Sequence, residues 1–281
     1  MAAGDLLVVP WQIELNGLLM GPSTNFVVKE FSPWTAPTIR AGGQEQARGS
    51  WGSNPGVDDL GDRLVPAKLL IAGSSYADVQ ASRRLLAAAW MPPASGVVVL
   101  VWMEDDLVKY RLSGKPQLSD SMLEPNVPTD ARFLAVDPRI YLNAESSVAA
   151  SLGSAPSGLT FNAAANFSFG GPALGGAMNP VNAGTIAAPW TATFTGPIVD
   201  PAIYHNGQSA SVRLVGSLAA GETLVVDSAS KTVILNGTAS RYNWVSSATR
   251  WFMLDPGANS LTFAATSGAG SCTLAWRSAL M

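Results

Sequence analysis

One cysteine and one histidine in 281 residues leave little room for thiol, imidazole or metal chemistry. Cys272 has no partner for an internal disulfide and cannot build a thiolate metal cage. It lies in Ser271-Cys-Thr-Leu-Ala-Trp276, an alternating stretch that reads as a strand carrying a small buried hydrophobe. His205 lies in Ile203-Tyr-His-Asn-Gly207, where a strand runs into an Asn-Gly turn. Any Ser-His-Asp or Cys-His arrangement would have to use it, and alone it cannot supply the several histidines of a catalytic zinc site. Charge is also scarce. Charged residues make up 13% of the chain and the net charge is −3, which gives no electrostatic case for wrapping nucleic acid or lying on an anionic membrane. No stretch approaches the roughly 18 continuous apolar residues of a membrane span. The N-terminus lacks the basic region of a signal peptide, which points to synthesis in the cytosol without one.

Other motifs with catalytic or ligand-binding precedent are weak as well. Glu104-Asp105-Asp106 is the one run of three acids, and paired carboxylates can hydrolyse glycosides. These three sit between two strand-like segments, however, where a solvated hairpin turn belongs. Asp58, Asp59 and Asp62 lie in a Gly/Pro-rich stretch without the spacing or glycine of an EF-hand loop, so a loose cation site is the most they suggest. The glycines at 170–176 are not followed by the Gly-Lys-Ser/Thr of a phosphate-binding loop. No catalytic, cofactor-binding or metal-binding residue is assigned, and the chain reads as a non-enzyme.

What is present is apolar material organised for β-structure. The chain is 47% hydrophobic, enough for sizeable cores, and its length suggests about two domains. Trp11-Gln-Ile-Glu-Leu alternates as a strand, Asn16-Gly17 turns it, and Phe26–Phe31 is the expected return strand. Residues 32–63 form a polar arm in which Trp34 and Trp51 are embedded, candidate anchors for a neighbouring subunit or rings folded back on their own domain. After a strand at 64–71, Ser75-Tyr-Ala-Asp78 resembles a capping box. Val79, Ser82, Leu86, Ala89 and Trp90 then recur at helical spacing until Met91-Pro-Pro93 stops the helix. Strands over 97–102, 107–113 and 131–136 complete a mixed α+β domain, residues 1–145. An Ala/Ser/Gly-rich connector, 146–176, follows, with two short strands expected at Leu159–Phe161 and Phe167–Phe169. Residues 177–281 carry turn signals at roughly 8–12-residue spacing, the pattern of an all-β sandwich. Trp190, Trp244 and Trp251 of that sandwich are candidates for stacking on sugar rings, with core packing as the other reading; Trp276 shares the choice.

The order of the motifs is more informative than any one of them. Asn182-Ala-Gly184, Phe194-Thr-Gly-Pro197, Asp227, Val233-Ile-Leu-Asn236-Gly237, Pro256-Gly-Ala-Asn259 and Trp276-Arg277 occur in sequence. Upstream, Gly49 and Gly61-Asp-Arg63 precede the 65–71 strand, and Phe133-Leu-Ala-Val-Asp137-Pro-Arg-Ile-Tyr141 closes the first domain. In this ordered set the chain resembles the distal tail proteins of long-tailed, non-contractile bacteriophages over nearly its whole length. The resemblance implies a belt domain (mostly β with one helix) followed by a galectin-like sandwich. It also implies a homo-hexameric ring in the virion, at the distal end of the tail, with belt domains around a channel for DNA and no cofactor.

The implied partners are further copies of the chain, the tail tube protein and the tail-tip hub protein, with the tape measure and receptor-binding proteins as further candidates. Composition accords with such a scaffold. Residues 1–143 carry 12 Lys/Arg against 15 Asp/Glu, a balance of −3, while the remainder carries 5 of each. An acidic first domain suits a conduit along which DNA slides without sticking. A related ring-forming tail protein, a carbohydrate-binding adhesion module and a tail-associated hydrolase using Glu104–Asp106 are the alternatives.

Overall fold

The computed structural model describes residues 2–40, 44–45, 53–54, 59–94, 96–118, 128–152 and 175–281. The chain divides into two units, Met1–Asn143 with Leu280–Met281, and Ala144–Ala279.

Unit 1 opens with β1 (Ile13–Leu15) and β2 (Leu18–Met20), an antiparallel pair. Asn16 and Gly17 both take positive φ, 49° and 77°, the two-residue turn whose twist matches a hairpin. A turn that tight forces the return strand to begin at once. The partner of β1 is therefore Leu18–Met20, and not Phe26–Phe31 as the strand pattern suggested. The latter segment, β3 (Phe26–Phe31), instead pairs with β4 (Arg63–Ile71), with a bulge between Val28 and Glu30. In β4 the side chains of Val65, Ala67, Leu69 and Ile71 are buried while Leu64, Pro66, Lys68 and Leu70 are less so, the period-two pattern of a strand with one wet face.

Helix α1 (Tyr76–Ala89) begins where Ser75 Oγ accepts the Asp78 N–H at 3.2 Å. Asp78 does not complete a reciprocal box; its carboxylate takes the Ser74 N–H at 3.0 Å. The helix buries Val79, Ser82, Leu86 and Ala89, with Trp90 behind them, which is the stripe expected from periodicity. Next come β5 (Val98–Met103), β6 (Lys109–Leu118), β7 (Thr129–Ala135) and β8 (Ile140–Leu142). The antiparallel order is β2-β1-β5-β6-β7-β4-β3, and β8 pairs with β6. Leu15, Met20, Leu69, Leu86, Trp90, Trp102 and Phe133 fill the interior. Each such side chain contributes on the order of 1.5–3 kcal/mol by leaving water.

Arg63, a buried cation, fastens unit 1 at one corner. Its Nε donates to the Pro138 carbonyl at 2.7 Å, and its Nη1 to the carbonyls of Thr35 at 2.5 Å and Pro33 at 3.4 Å. This ties the root of the 32–63 arm to the Asp137-Pro-Arg-Ile-Tyr141 segment. There Tyr141 donates to Asp137 at 2.6 Å, and burial followed by the Asp137 charge raises the phenol above its ordinary range.

Unit 2 is a sandwich of antiparallel sheets. Its strands are β9 (Ser146–Ser151), β10 (Gly176–Met178), β11 (Trp190–Thr195), β12 (Ala202–His205), β13 (Ala210–Arg213), β14 (Thr223–Asp227), β15 (Thr232–Leu235), β16 (Leu261–Ala264) and β17 (Ser271–Trp276). One sheet runs β9-β17-β11-β14-β15, ending on a two-residue strand at Ala239–Ser240. The other runs β10-β16-β12-β13. Trp190, Ala192 and Phe194 of β11 face Ile203, Leu261 and Phe263 across the core, with the Phe194 and Phe263 rings 5.8 Å apart. The sequence-based connector, 146–176, therefore begins inside a sheet. Ser146–Ser151 is a polar edge strand whose side chains are mostly exposed, and it lacks the large apolar residues that mark a strand. The strands expected at Leu159–Phe161 and Phe167–Phe169 lie outside the described residues.

Candidate functional site

The chemically suggestive residues are occupied with holding turns. His205 is buried, its Nδ1 accepts the Gln208 N–H at 3.1 Å, and its Nε2 lies 3.1 Å from Asn259 Oδ1. An Nδ1 that accepts fixes the proton on Nε2, so the ring is a bridge between two turns with neither nitrogen open to a substrate. Burial pushes the Cys272 thiol up to about 12, which leaves it unreactive at neutral pH. Asp58 lies outside the described residues, Asp59 falls in a two-residue ladder with Arg40, and the Asp62 carbonyl takes the Thr38 N–H at 3.0 Å. Among the described residues no cluster of three or more His, Cys, Asp or Glu could hold a metal ion.

The sandwich tryptophans separate by exposure. Trp190 is 2% exposed and donates its indole N–H to the Phe252 carbonyl at 3.1 Å, which corrects its candidacy for sugar stacking: its ring faces are core. Trp276 is buried likewise and donates to Val181. Trp244 and Trp251 are half-buried against the same core. The Trp244 ring lies so close to the Gly216 backbone that a Cβ there would sit 2.4 Å from it, and the Arg241 guanidinium is 5.7 Å from its centroid. Little of that ring is left to offer a sugar.

Among the described residues, exposed aromatic surface gathers elsewhere, at the turn joining β5 to β6 in unit 1. Glu104-Asp105-Asp106 forms this turn, closed by the Leu107 N–H on the Glu104 carbonyl at 3.0 Å. Glu104 Oε1 accepts the indole N–H of Trp34 at 2.5 Å and of Trp102 at 3.1 Å, and Asp105 accepts that of Trp11 at 2.7 Å. Asp106 takes the Val108 N–H at 3.0 Å. The acids are thus acceptors that hold three indoles in place. Trp34 also packs edge-on against Trp102 and Tyr110, so it rests on its own unit, yet 43% of it stays exposed. Trp51, its companion in the sequence reading, lies outside the described residues. Beside the turn, a groove of about 420 Å³ opens between β1 and β3, walled by Trp11, Val28, Phe31, Trp102 and Met103.

Trp11 and Leu107 were not singled out by sequence reasoning, one being read as the first residue of a strand and the other as the start of one. Both take left-handed backbone, φ 65° and 62°, and both are exposed, 55% and 63%. The signals in the sequence were slight: a tryptophan directly after Pro10, and a leucine at the tip of an acidic turn.

The motif residues of unit 2 build its turns. Asn182 is buried, donates to the carbonyls of Ile186 and Leu254 and accepts the Gly184 N–H. Asp227 caps its turn by accepting the N–H groups of Ala229 and Ser230. Asn236 and Gly237, φ 49° and 76°, join β14-paired β15 to the next strand, and Asn259 ties its turn to Asp255 and Gly257. Residues 183–279 match the family model of the siphovirus-type tail component, C-terminal domain. The fold of the chain is similar to that of SPP1 Dit (gp 19.1), described as a paradigm of the hub adsorption apparatus in phages infecting Gram-positive hosts, with a TM-score of 0.65 and 13% identity over 96% of this chain and 99% of that one. It is similar also to a chain of the phage p2 baseplate in its activated conformation with Sr, with a TM-score of 0.50 and 8% identity over 94% and 97% of the two chains. At these identities the likeness is one of fold. No curated protein matches the sequence. The matched residues take in the sandwich except its first two strands, β9 and β10, and the fold likeness extends through unit 1.

Proposed function

We propose that the chain is a structural component of a long, non-contractile phage tail, assembled as a ring of six copies at the distal end. It joins the tail tube to the tail-tip or baseplate proteins and leaves a lumen for DNA. The observation that carries this reading is the match of residues 183–279 to the siphovirus-type tail component domain. The likeness of fold to a hub protein over 96% of the chain supports extending it to unit 1. A ring needs heterologous contacts that close on themselves, and an acidic unit 1 suits a DNA conduit. Carbohydrate binding by the sandwich, the competing reading, loses Trp190 to the core and most of Trp244 to its neighbours. Cryo-electron microscopy of the tail end of the particle tests the proposal. Six copies of this chain in one closed ring at the distal end are expected; their absence, or a ring of another order, would overturn it.

A further inference from the structure

Unit 1 carries two exposed apolar patches of opposite charge at opposite ends of the β1–β5 pair. The first is the rim just described: Trp11, Trp34 and Leu107 around Glu104, Asp105 and Asp106. The second lies around the C-terminal end of α1, where Leu85 is 56% and Met91, just past the helix, 65% exposed, with Arg84 on the adjoining position of the helix and Arg83 one position further back. The separation follows from hydrogen bonds. Asn16, at the β1–β2 turn, donates to the Ala89 carbonyl at 2.7 Å, placing the end of the helix there. The Trp11 and Met103 N–H groups bond across the other end of β1 and β5. Four residue steps along β5, from Val99 to Met103, put about 13 Å between the two ends.

The carboxylates of the first patch accept hydrogen bonds from the indoles and the turn, but neither patch meets an opposite charge within its own chain. Among the described residues, no ion pair reaches Arg83, Arg84, Glu104, Asp105 or Asp106. Among the described residues, Trp11 and Leu107 are the two bulky apolar ones with left-handed backbone, a conformation costing on the order of 1–3 kcal/mol each. That strain holds apolar side chains at the rim, where water gives nothing back for it.

Building on the ring reading above, we infer that these patches are the two halves of one contact between neighbouring copies. Arg84, Leu85 and Met91 of one copy seat on Trp11, Trp34 and Leu107 of the next, with the guanidinium groups against the acidic turn. The complementary charges select a second copy in this head-to-tail orientation. A two-fold contact through either patch would set like charge against like, whereas a heterologous one uses both patches on every copy and propagates around a ring.

Disulfide trapping of the full-length chain tests this cleanly, because its one native cysteine is buried. On oxidation, a chain carrying both Leu85→Cys and Leu107→Cys is expected to give a covalent ladder, and either single variant none. Independently, Arg83→Glu with Arg84→Glu should lower the assembled fraction at least tenfold by native mass spectrometry, and adding Asp106→Lys, which leaves the Asp105 bond to Trp11 intact, in the same chain should restore it at least in part. This restoration shows that the reversed chains fold. A wild-type ring that gives no ladder and ignores charge reversal overturns the contact and leaves the ring reading standing. A wild-type chain that forms no closed assembly, alone or in the particle, overturns both.

Discussion

In unit 1 the indoles of Trp11 and Trp34 donate to carboxylates of a surface turn, whereas in unit 2 those of Trp190 and Trp276 donate to main-chain carbonyls inside the sandwich. The chemistry of the N–H is satisfied in both cases; what differs is the fate of the ring. A backbone carbonyl in the core draws the whole side chain inward. A carboxylate on a surface turn can hold an indole with a face in solvent, as with Trp11 and Trp34, although Trp102, bound to the same Glu104, is buried. The partner of the N–H together with the exposure of the ring distinguishes a packing residue such as Trp102 or Trp190 from one free to meet another molecule, such as Trp11 or Trp34.

The sharpest way to break this comparison is Trp190→Ala. It should destabilise unit 2 by about 3–5 kcal/mol and accelerate amide exchange in β11, β14 and β17, while leaving β4–β7 protected. Equal deprotection of both units would show that the ring serves more than its own core. Next in size is Arg63→Met, which leaves the carbonyls of Thr35 and Pro138 without their donor. A loss of about 3 kcal/mol in unit 1, read by the same exchange measurement, is expected.

A smaller effect is set by pH. Tyr141 has its phenol raised by burial and by Asp137, so the folded state favours the protonated form and the unfolded chain releases its proton first. Stability should therefore fall as pH rises past about 10, by no more than about 1.4 kcal/mol per pH unit for this group. Tyr141→Phe should flatten that limb in denaturant titrations at pH 9–11; an unchanged slope would remove Tyr141 as its cause. Cys272 in unit 2 acts with the same sign, since burial raises its thiol to about 12. The smallest change is expected from Trp11→Gly, where relief of the left-handed backbone offsets loss of the indole bond. A stability change within about 1 kcal/mol, measured by urea unfolding, would mark Trp11 as dispensable for folding, and a loss of several would make it a core residue after all.

Much of the architecture was legible because its determinants are local. The stripe Val79, Ser82, Leu86, Ala89, Trp90 specified a helix and its buried face, and the ordered Asn, Gly and Asp turns of residues 182–259 specified the sandwich. Strand partnership was less so. Phe26–Phe31 has the pattern of a strand whichever neighbour it takes, and only the tightness of the Asn16-Gly17 turn assigns β1 to Leu18–Met20. Ser146–Ser151 escaped notice because an edge strand of Ser and Ala carries no alternating apolar signal. The rim was the least legible feature. Trp34 was a candidate from its polar surroundings, but Trp11 and Leu107 join it only through a hairpin pairing and two left-handed backbones, neither of which leaves a periodic trace.

Ser146 at the start of β9 pairs with Trp276 at the end of β17, and Glu145 meets Arg277 at 3.3 Å just outside that pair. The polypeptide thus enters and leaves the sandwich along two adjoining strands. A segment with such neighbouring endpoints can be exchanged between genomes as one block, through two crossovers near residues 144 and 279.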